Sequence, residues 1–330
     1  MSKRASQMKP RREIRILAVL LGVGLVLGVG GGATYAAFSA TTSNGGNSLS
    51  TAADWTPPTV PSAVIAHSPG VGGFIGQGKT YRVYANVNDS GNPASGVSTV
   101  TANVTNITAG QNSASLSSGS FTVGGTSYGY RSNSLNADNS LSAGSKSFSI
   151  TATDGASNSA TQNGFSVTVD NTAPSGSDVQ TTDHGGTAGK PEQSDTIAFT
   201  YSEPMDPDSI LSGWTGSSTN VVVRIDNAGG NDTLTVYDSA NSTALNLGTV
   251  TLNGDFVAAN RTFGASGTAS TMVQSGSVIT VTLGNPSSGV KTDTHNNTMA
   301  WPPSASSTDR GGNACSTTTV NESGANDVDF

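Results

Sequence analysis

The sequence predicts an all-β protein: two antiparallel β-sandwiches in tandem behind an N-terminal export segment. Three observations carry this reading. Only 11% of the 330 residues are charged and 41 are glycine, against roughly a quarter charged in an ordinary globular chain. Ser, Thr, Asn and Gly fill the gap, and they favour turns and strands over helices. Apolar residues alternate with period two in short runs between Gly/Ser/Asn turns. Finally, one succession of short motifs occurs twice along the body.

The N-terminal segment stands apart by charge. Six of the 15 Lys and Arg (Lys3, Arg4, Lys9, Arg11, Arg12, Arg15) lie in the first 15 residues, opposed by Glu13 alone. The other 9 basic and 21 acidic residues set the body at −12, although the whole chain is −7. Such a body repels phosphates, which excludes nucleic acid as its partner. Ile16–Gly32 carries no charge, and Thr34-Tyr35-Ala36 puts small residues where a signal peptidase needs them for a cut after Ala36. The alternative is an uncleaved anchor, since Ile16–Phe38 is 23 residues, enough to span a bilayer. Either reading places the body outside the cytoplasm, because the basic head stays inside. Gly28–Ala33 fits GxGxxG/A, but it follows an apolar helical stretch and no βαβ unit surrounds it, so it is not read as a dinucleotide site.

The segment TYAAFSATTSNGGNSLSTAADWTPPT (Thr34–Thr59) resembles the SipW-type signals of camelysin-like bacterial surface and biofilm-fibre proteins. It departs from them at Leu49, where that family has a second Phe. The Asp54-Trp55-Thr56-Pro57-Pro58 junction resembles actinobacterial exported proteins in which such a signal precedes immunoglobulin-like repeats.

Strand signals follow in order. In the first half Tyr81, Val83, Ala85 and Val87 alternate; so do Val100, Ala102 and Val104; Phe148, Ile150 and Ala152; and Phe165, Val167 and Val169. In the second half come Ile197, Phe199 and Tyr201; Val221–Ile225; Leu234 and Val236; Val250 and Leu252; and Val278–Leu283. A short helical turn is expected near Ser209–Leu211. Val169-Asp170-Asn171-Thr172-Ala173-Pro174 ends a strand and forbids its continuation, because Pro lacks the ladder donor. It echoes Asp54–Pro58. A second echo pairs Thr153-Asp154 and Asn158 with Thr308-Asp309 and Asn313, both T-D-x-x-x-N ahead of a closing strand. The expected organisation is 1–36 signal or anchor, 37–60 polar linker, 61–172 first domain and 173–330 second domain. The second domain is longer by insertions, mainly Asn253–Gly276 and Asn285–Asn297, and ends in a polar tail, Asn321–Phe330.

The first half resembles a bacterial immunoglobulin-like repeat, whose penultimate hairpin reads A-x-D-x-A-G-N; here Ser157 stands where Gly is typical. The second half resembles the immunoglobulin-like domains of bacterial surface proteins marked by F-x-F-S-E-P-M-D, here Phe199–Asp206. The resemblance implies two immunoglobulin-like sandwiches serving as spacer, stalk or binding module, and no reaction.

Acidic residues are the main candidates for chemistry. In a sandwich of this topology the lead-in segment, the second–third strand loop and the penultimate hairpin share one pole. That gathers Asp54, Asp89 and Asp154 in the first half, and Asp170, Asn171, Glu203, Asp206, Asp208 and Asp309 in the second. Converging oxygens are what Ca²⁺ takes, and the Asp170–Pro174 linker resembles those of cadherin-like and adhesin repeats that bind it. The plainer reading is that Asp and Asn make turns and caps here. Gly125–Gly129 matches GxSxG around Ser127, but the flanks read as a hairpin rather than strand–turn–helix, so no nucleophile is expected. His67, His184 and His295 are far apart and read as loop residues without a zinc ligand set. Cys315 is the single cysteine, expected buried; Trp214 and Trp301 are expected to pack.

The expected function is therefore non-enzymatic: an exported or cell-surface spacer, adhesion or binding module whose partner is a surface polymer or protein. Alternatives are a matrix or fibre subunit that self-associates by strand addition at sheet edges, and an accessory module of an extracellular enzyme system.

Overall fold

The computed structural model describes residues 54–68, 71–91, 93–324 and 328–330. Residues 1–36, expected as a signal or anchor and carrying the Gly28–Ala33 run, and residues 37–53 of the expected linker lie outside the described residues. No helix among the described residues is long and apolar enough to cross a membrane.

The chain is all-β and builds two sheets that share no strand. The first contains β1 (Thr59–Ala66), β2 (Phe74–Ile75), β3 (Thr80–Asn88), β4 (Val97–Asn103), β5 (Ala114–Val123), β6 (Thr126–Ser132), β7 (Leu135–Asn136), β8 (Gly144–Asp154) and β9 (Ser159–Val169). Their order is β1-β3-β6-β5-β4-β8-β9-β2, with β7 added on β3. Every pair is antiparallel except β2 with β9. One bond links the two ends of this order, Gly73 N–H, just ahead of β2, donating to Ile65 O of β1 at 2.7 Å. Period-two alternation does its expected work here. Tyr81, Val83 and Ala85 are fully buried, as are Ile150 and Ala152. Each large apolar side chain so buried stabilises the fold by about 1.5–3 kcal/mol. The β5–β6 hairpin turns at Gly124 and Gly125, both at positive φ (53° and 79°), as a two-residue primed turn needs. Ser127 accordingly sits in β6 opposite Thr122, on a flat ladder and not on a strained elbow.

The second sheet contains β10 (Gly176–Thr182), β11 (Thr196–Tyr201), β12 (Thr219–Asp226), β13 (Thr233–Asp238), β14 (Val250–Thr251), β15 (Arg261–Phe263), β16 (Ser270–Ser275), β17 (Val278–Thr282), β18 (Ala300–Trp301) and β19 (Val320–Asn321). Its order is β10-β11-β17-β16-β12-β13-β14-β18-β19, with β15 on β12. A single helical turn, α1 (Pro207–Ile210), follows β11. Asp206 caps it by accepting from Asp208 N–H at 3.1 Å, and Pro207 stands at its first position, where no donor is lost. Each sheet encloses its own apolar cluster. In the second, Trp301 lies edge-on to Phe199 and Tyr201, 5.2 and 5.0 Å between centroids, and its indole N–H donates to Leu247 O at 2.8 Å. Trp214 is buried as well, its N–H satisfied by Ser217 O.

Several expectations are corrected. The second sheet is not the first with insertions. The hairpin between β3 and β4 is β6–β5, which follows β4 directly in the chain, whereas the one between β11 and β12 is β17–β16, which comes only after β13, β14 and β15. Asn253–Gly276 is no insertion, because it supplies β15 and β16, and β16 is a ladder strand between β12 and β17. Its inward positions are Ser270 and Met272, so one apolar residue carried the whole pattern. The closing strand expected after Asn313 is only Val320–Asn321, and the first strand starts at Thr59, two residues inside the expected linker. The polar tail comes back to the core: Phe330 is 1% exposed and sits edge-on to Phe256, 5.4 Å between centroids.

Candidate functional site

Two groups of three carboxylates form among the described residues, and they are the same device built twice. In each, the three carboxylates offer oxygens that lie within 4.8 Å of one another. The first is Asp54 from the lead-in to β1, Asp89 from the β3–β4 loop and Asp154 at the end of β8. The second is Asp170 from the lead-in to β10, Glu203 just after β11 and Asp309 in the turn before Cys315. These are the three segments expected to share a pole.

The repeat extends to single hydrogen bonds. Asp154 Oδ1 accepts from Asn158 N–H and its Oδ2 from Asn158 Nδ2, both at 2.8 Å. Asp309 and Asn313 make the same two bonds at the same distances. Asn158 Nδ2 also reaches Asp54 O at 3.2 Å, as Asn313 Nδ2 reaches Asp170 O at 2.9 Å. Asp54 Oδ1 accepts from Thr56 N–H at 2.9 Å, and Asp170 Oδ1 from Thr172 N–H at 3.0 Å. The residue before the Asn is in the left-handed region in both turns: Ser157 (φ 72°) and Gly312 (φ 84°). The T-D-x-x-x-N echo is thus a structural unit. The side chain closes its own turn and pins the strand that leads into the sheet.

The two sites differ in electrostatics. In the first, backbone N–H groups, that of Thr56 foremost and then Ser95, hold the Asp54 carboxyl below its ordinary range. The Ser95 hydroxyl donates to the same carboxylate at 3.0 Å. Gly91 is required beside it, since a Cβ there would run into the Asp54 carboxylate. In the second, no such donors reach Glu203. Burial, followed by the charges of Asp170 and Asp309, pushes its carboxyl up to about 7, and it shares a hydrogen bond with Asp170. Burial likewise raises Asp309. Three converging carboxylates cannot all stay ionised cheaply. A proton relieves the repulsion, and so does a divalent cation, for which they supply part of a six-to-eight-oxygen shell.

Three of the expected site residues lie elsewhere. Asn171 accepts from Gln77 N–H and donates to Leu141 O, both at 2.8 Å, so it ties the lead-in to the first half. Asp206 is fully buried. Besides capping α1 it accepts from Ser68 Oγ at 2.6 Å and faces His67 Nε2 at 3.2 Å. Asp208 accepts from Gly213 N–H at 2.7 Å. His67 is therefore no loose loop histidine. It is held between Asp206 and Gly312, where a Cβ would come within 3.1 Å of the imidazole. With Arg310 over the Phe74 ring at 5.6 Å, these contacts bond the end of β1 and the approach to β3 directly to the second cluster's pole. Sequence gave no signal for Ser68, Gln77 or Phe74, because their partners lie more than 90 residues away. His184 and His295 are exposed loop residues. Cys315 is buried, and burial pushes its thiol up.

No protein-family model matches the chain, and no curated protein or solved structure is significantly similar to it.

Proposed function

We propose that the chain is a non-enzymatic exported or cell-surface module, two immunoglobulin-like sandwiches in line that act as a spacer and present binding surfaces. The strand order supports the immunoglobulin-like reading of the first half. Lettered in sequence, omitting the short β2 and β7, β1-β3-β6-β5 is the A-B-E-D sheet and β4-β8-β9 the C-F-G sheet. The short β2 runs parallel to the last strand, as a switched portion of the first strand would. The observation that carries the spacer reading is the bonded junction. Ser68 to Asp206 crosses between the halves, and the linker between them is bonded to both sides, Asp170 O to Asn313 of the second half and Asn171 to Gln77 and Leu141 of the first. A flexible linker makes no such bonds. Cell fractionation with N-terminal sequencing of the exported form, and electron microscopy of the purified protein, test this reading. A cytoplasmic protein, or fibres in place of discrete particles, would overturn it.

A second reading concerns the carboxylates. Their repetition at equivalent positions supports Ca²⁺ at Asp170, Glu203 and Asp309, stiffening the junction, and at Asp54, Asp89 and Asp154 ahead of the first half. Calorimetry with millimolar Ca²⁺ tests this. Neither heat of binding nor a rise in melting temperature would leave the clusters as turn and cap chemistry only.

A further inference from the structure

The loop between α1 and β12 has a groove on each side. One, of about 350 Å³, is lined by Pro207, Thr215, Ser217, Val273, Gln274 and Arg310 among others. Its neighbour, of about 280 Å³, shares Thr215 and Ser217 and adds Ser212, Trp214, Ser218 and Thr219. Together they form a polar track across the loop. Two features set the track apart. No carboxylate lines either groove, although the body carries 21 acidic residues against 9 basic ones. And its one charged residue, Arg310, is unspent. Of the other described guanidiniums of the body, Arg82, Arg224 and Arg261 donate to carbonyl or amide oxygens, and Arg131 lies over the Phe121 ring at 4.2 Å, away from either groove. The Arg310 guanidinium makes no hydrogen bond or ion pair, and its Nε is buried without a partner; Phe74 packs beneath it. The Nη1–Nη2 edge of the guanidinium, left without a partner and backed by an aromatic ring, is suited to a carboxylate taken two-pronged. The rest of the lining is hydroxyls (Ser212, Thr215, Ser217, Ser218, Thr219), the Gln274 amide and glycine backbone, with Pro207, Leu211, Trp214 and the exposed Val273 as its apolar part. Hydroxyls and amides that both give and take hydrogen bonds match a polyhydroxylated ligand. The small apolar part matches the C–H face of a sugar ring better than it matches peptide side chains, which need deeper apolar pockets.

We propose that this track binds a carboxylated oligosaccharide, a uronic-acid segment of a surface polysaccharide, with Arg310 taking one carboxylate and the hydroxyl-rich loop taking the neighbouring ring. The inference stands apart from the Ca²⁺ reading, and removing Ca²⁺ does not bear on it. It gives the spacer a ligand on its flank.

The test is titration of the full-length exported chain with an oligouronate of four to six residues, followed by calorimetry. The controls are a neutral oligosaccharide of equal length and free glucuronate. Expected results are saturable binding of the oligouronate, at least tenfold weaker binding of the neutral chain, and at least tenfold loss in Arg310→Gln. Thr215→Val/Ser217→Ala, on the exposed loop and away from the junction, guards against a folding defect in the Arg310 variant and is expected to weaken binding without moving the melting temperature. Arg131→Gln, an arginine outside the track, leaves binding unchanged. No binding at millimolar oligouronate would overturn the proposal. So would equal binding of the neutral chain, or binding indifferent to both track variants.

Discussion

Asn313→Ala isolates the element on which the junction reading depends. The side chain makes two bonds from one nitrogen, to Asp309 Oδ2 at 2.8 Å and to Asp170 O at 2.9 Å. A bond to a charged group contributes about 1.5–3 kcal/mol net, and one to a neutral carbonyl about 0.5–1.5 kcal/mol. Truncation to Ala keeps the backbone bond from residue 313 to Asp309 Oδ1. The expected cost is therefore about 2–4 kcal/mol. In a unit of some 150 residues that corresponds to a melting-temperature drop of about 4–16 °C. Tryptophan emission is a suitable probe. Trp214 and Trp301 are buried in the second half, whereas Trp55 is 68% exposed and contributes little change. Asn158→Ala is the internal control. It removes the same pair of bonds in the first half, so it should destabilise the first half and leave the tryptophan-reported midpoint nearly in place. A shift below about 1 °C in Asn313→Ala, or equal shifts of the tryptophan signal in both variants, would refute the argument that this side chain pins the second half to its lead-in strand.

The raised Glu203 carboxyl has a definite sign. Its folded value of about 7 exceeds its ordinary 4.5, so its contribution to stability is complete below about 4.5 and is lost as pH rises through about 7. Glu203→Gln should remove that loss, and the stability difference between variant and wild type should grow between pH 5 and 8; a constant difference across this range would argue against the three-carboxylate repulsion. Phe330→Ala should cost about 3–5 kcal/mol in denaturant unfolding, because it empties a site against Phe256, while a freely solvated tail would show no effect. Cys315 is buried with its thiol raised, so a thiol reagent should modify it at least tenfold faster in denaturant than in buffer. Comparable rates would mean that the turn after Asp309 opens readily.

The candidate sites were more legible in the sequence than most of the second sheet. Asp and Asn at fixed spacing report local turn chemistry, and the turn geometry follows from that spacing with little help from the rest of the fold. This is why Asp154/Asn158 and Asp309/Asn313 could be paired by sight. β16 was not legible, because one inward methionine on a Ser/Thr background gives no period. The return of Phe330 was equally hidden, since a single apolar residue after a polar run has no pattern to announce it. Asp206 and Asp208 were grouped with Glu203 because they are its sequence neighbours. The Asp206 cap at α1 turns the chain, and their carboxylates end on other partners.

The sequence alone determined the all-β class and the repeated turns at Asp154/Asn158 and Asp309/Asn313. These follow from period-two burial and from hydrogen bonds between residues a few positions apart. Only the tertiary structure decided that Glu203 ionises with difficulty, that His67 and Ser68 meet Asp206, and that Arg310 stands unpaired beside a hydroxyl-lined track. Each of these depends on the dielectric, the charges and the donors brought in by strands distant in the chain. Burial, and not residue type, sets those properties.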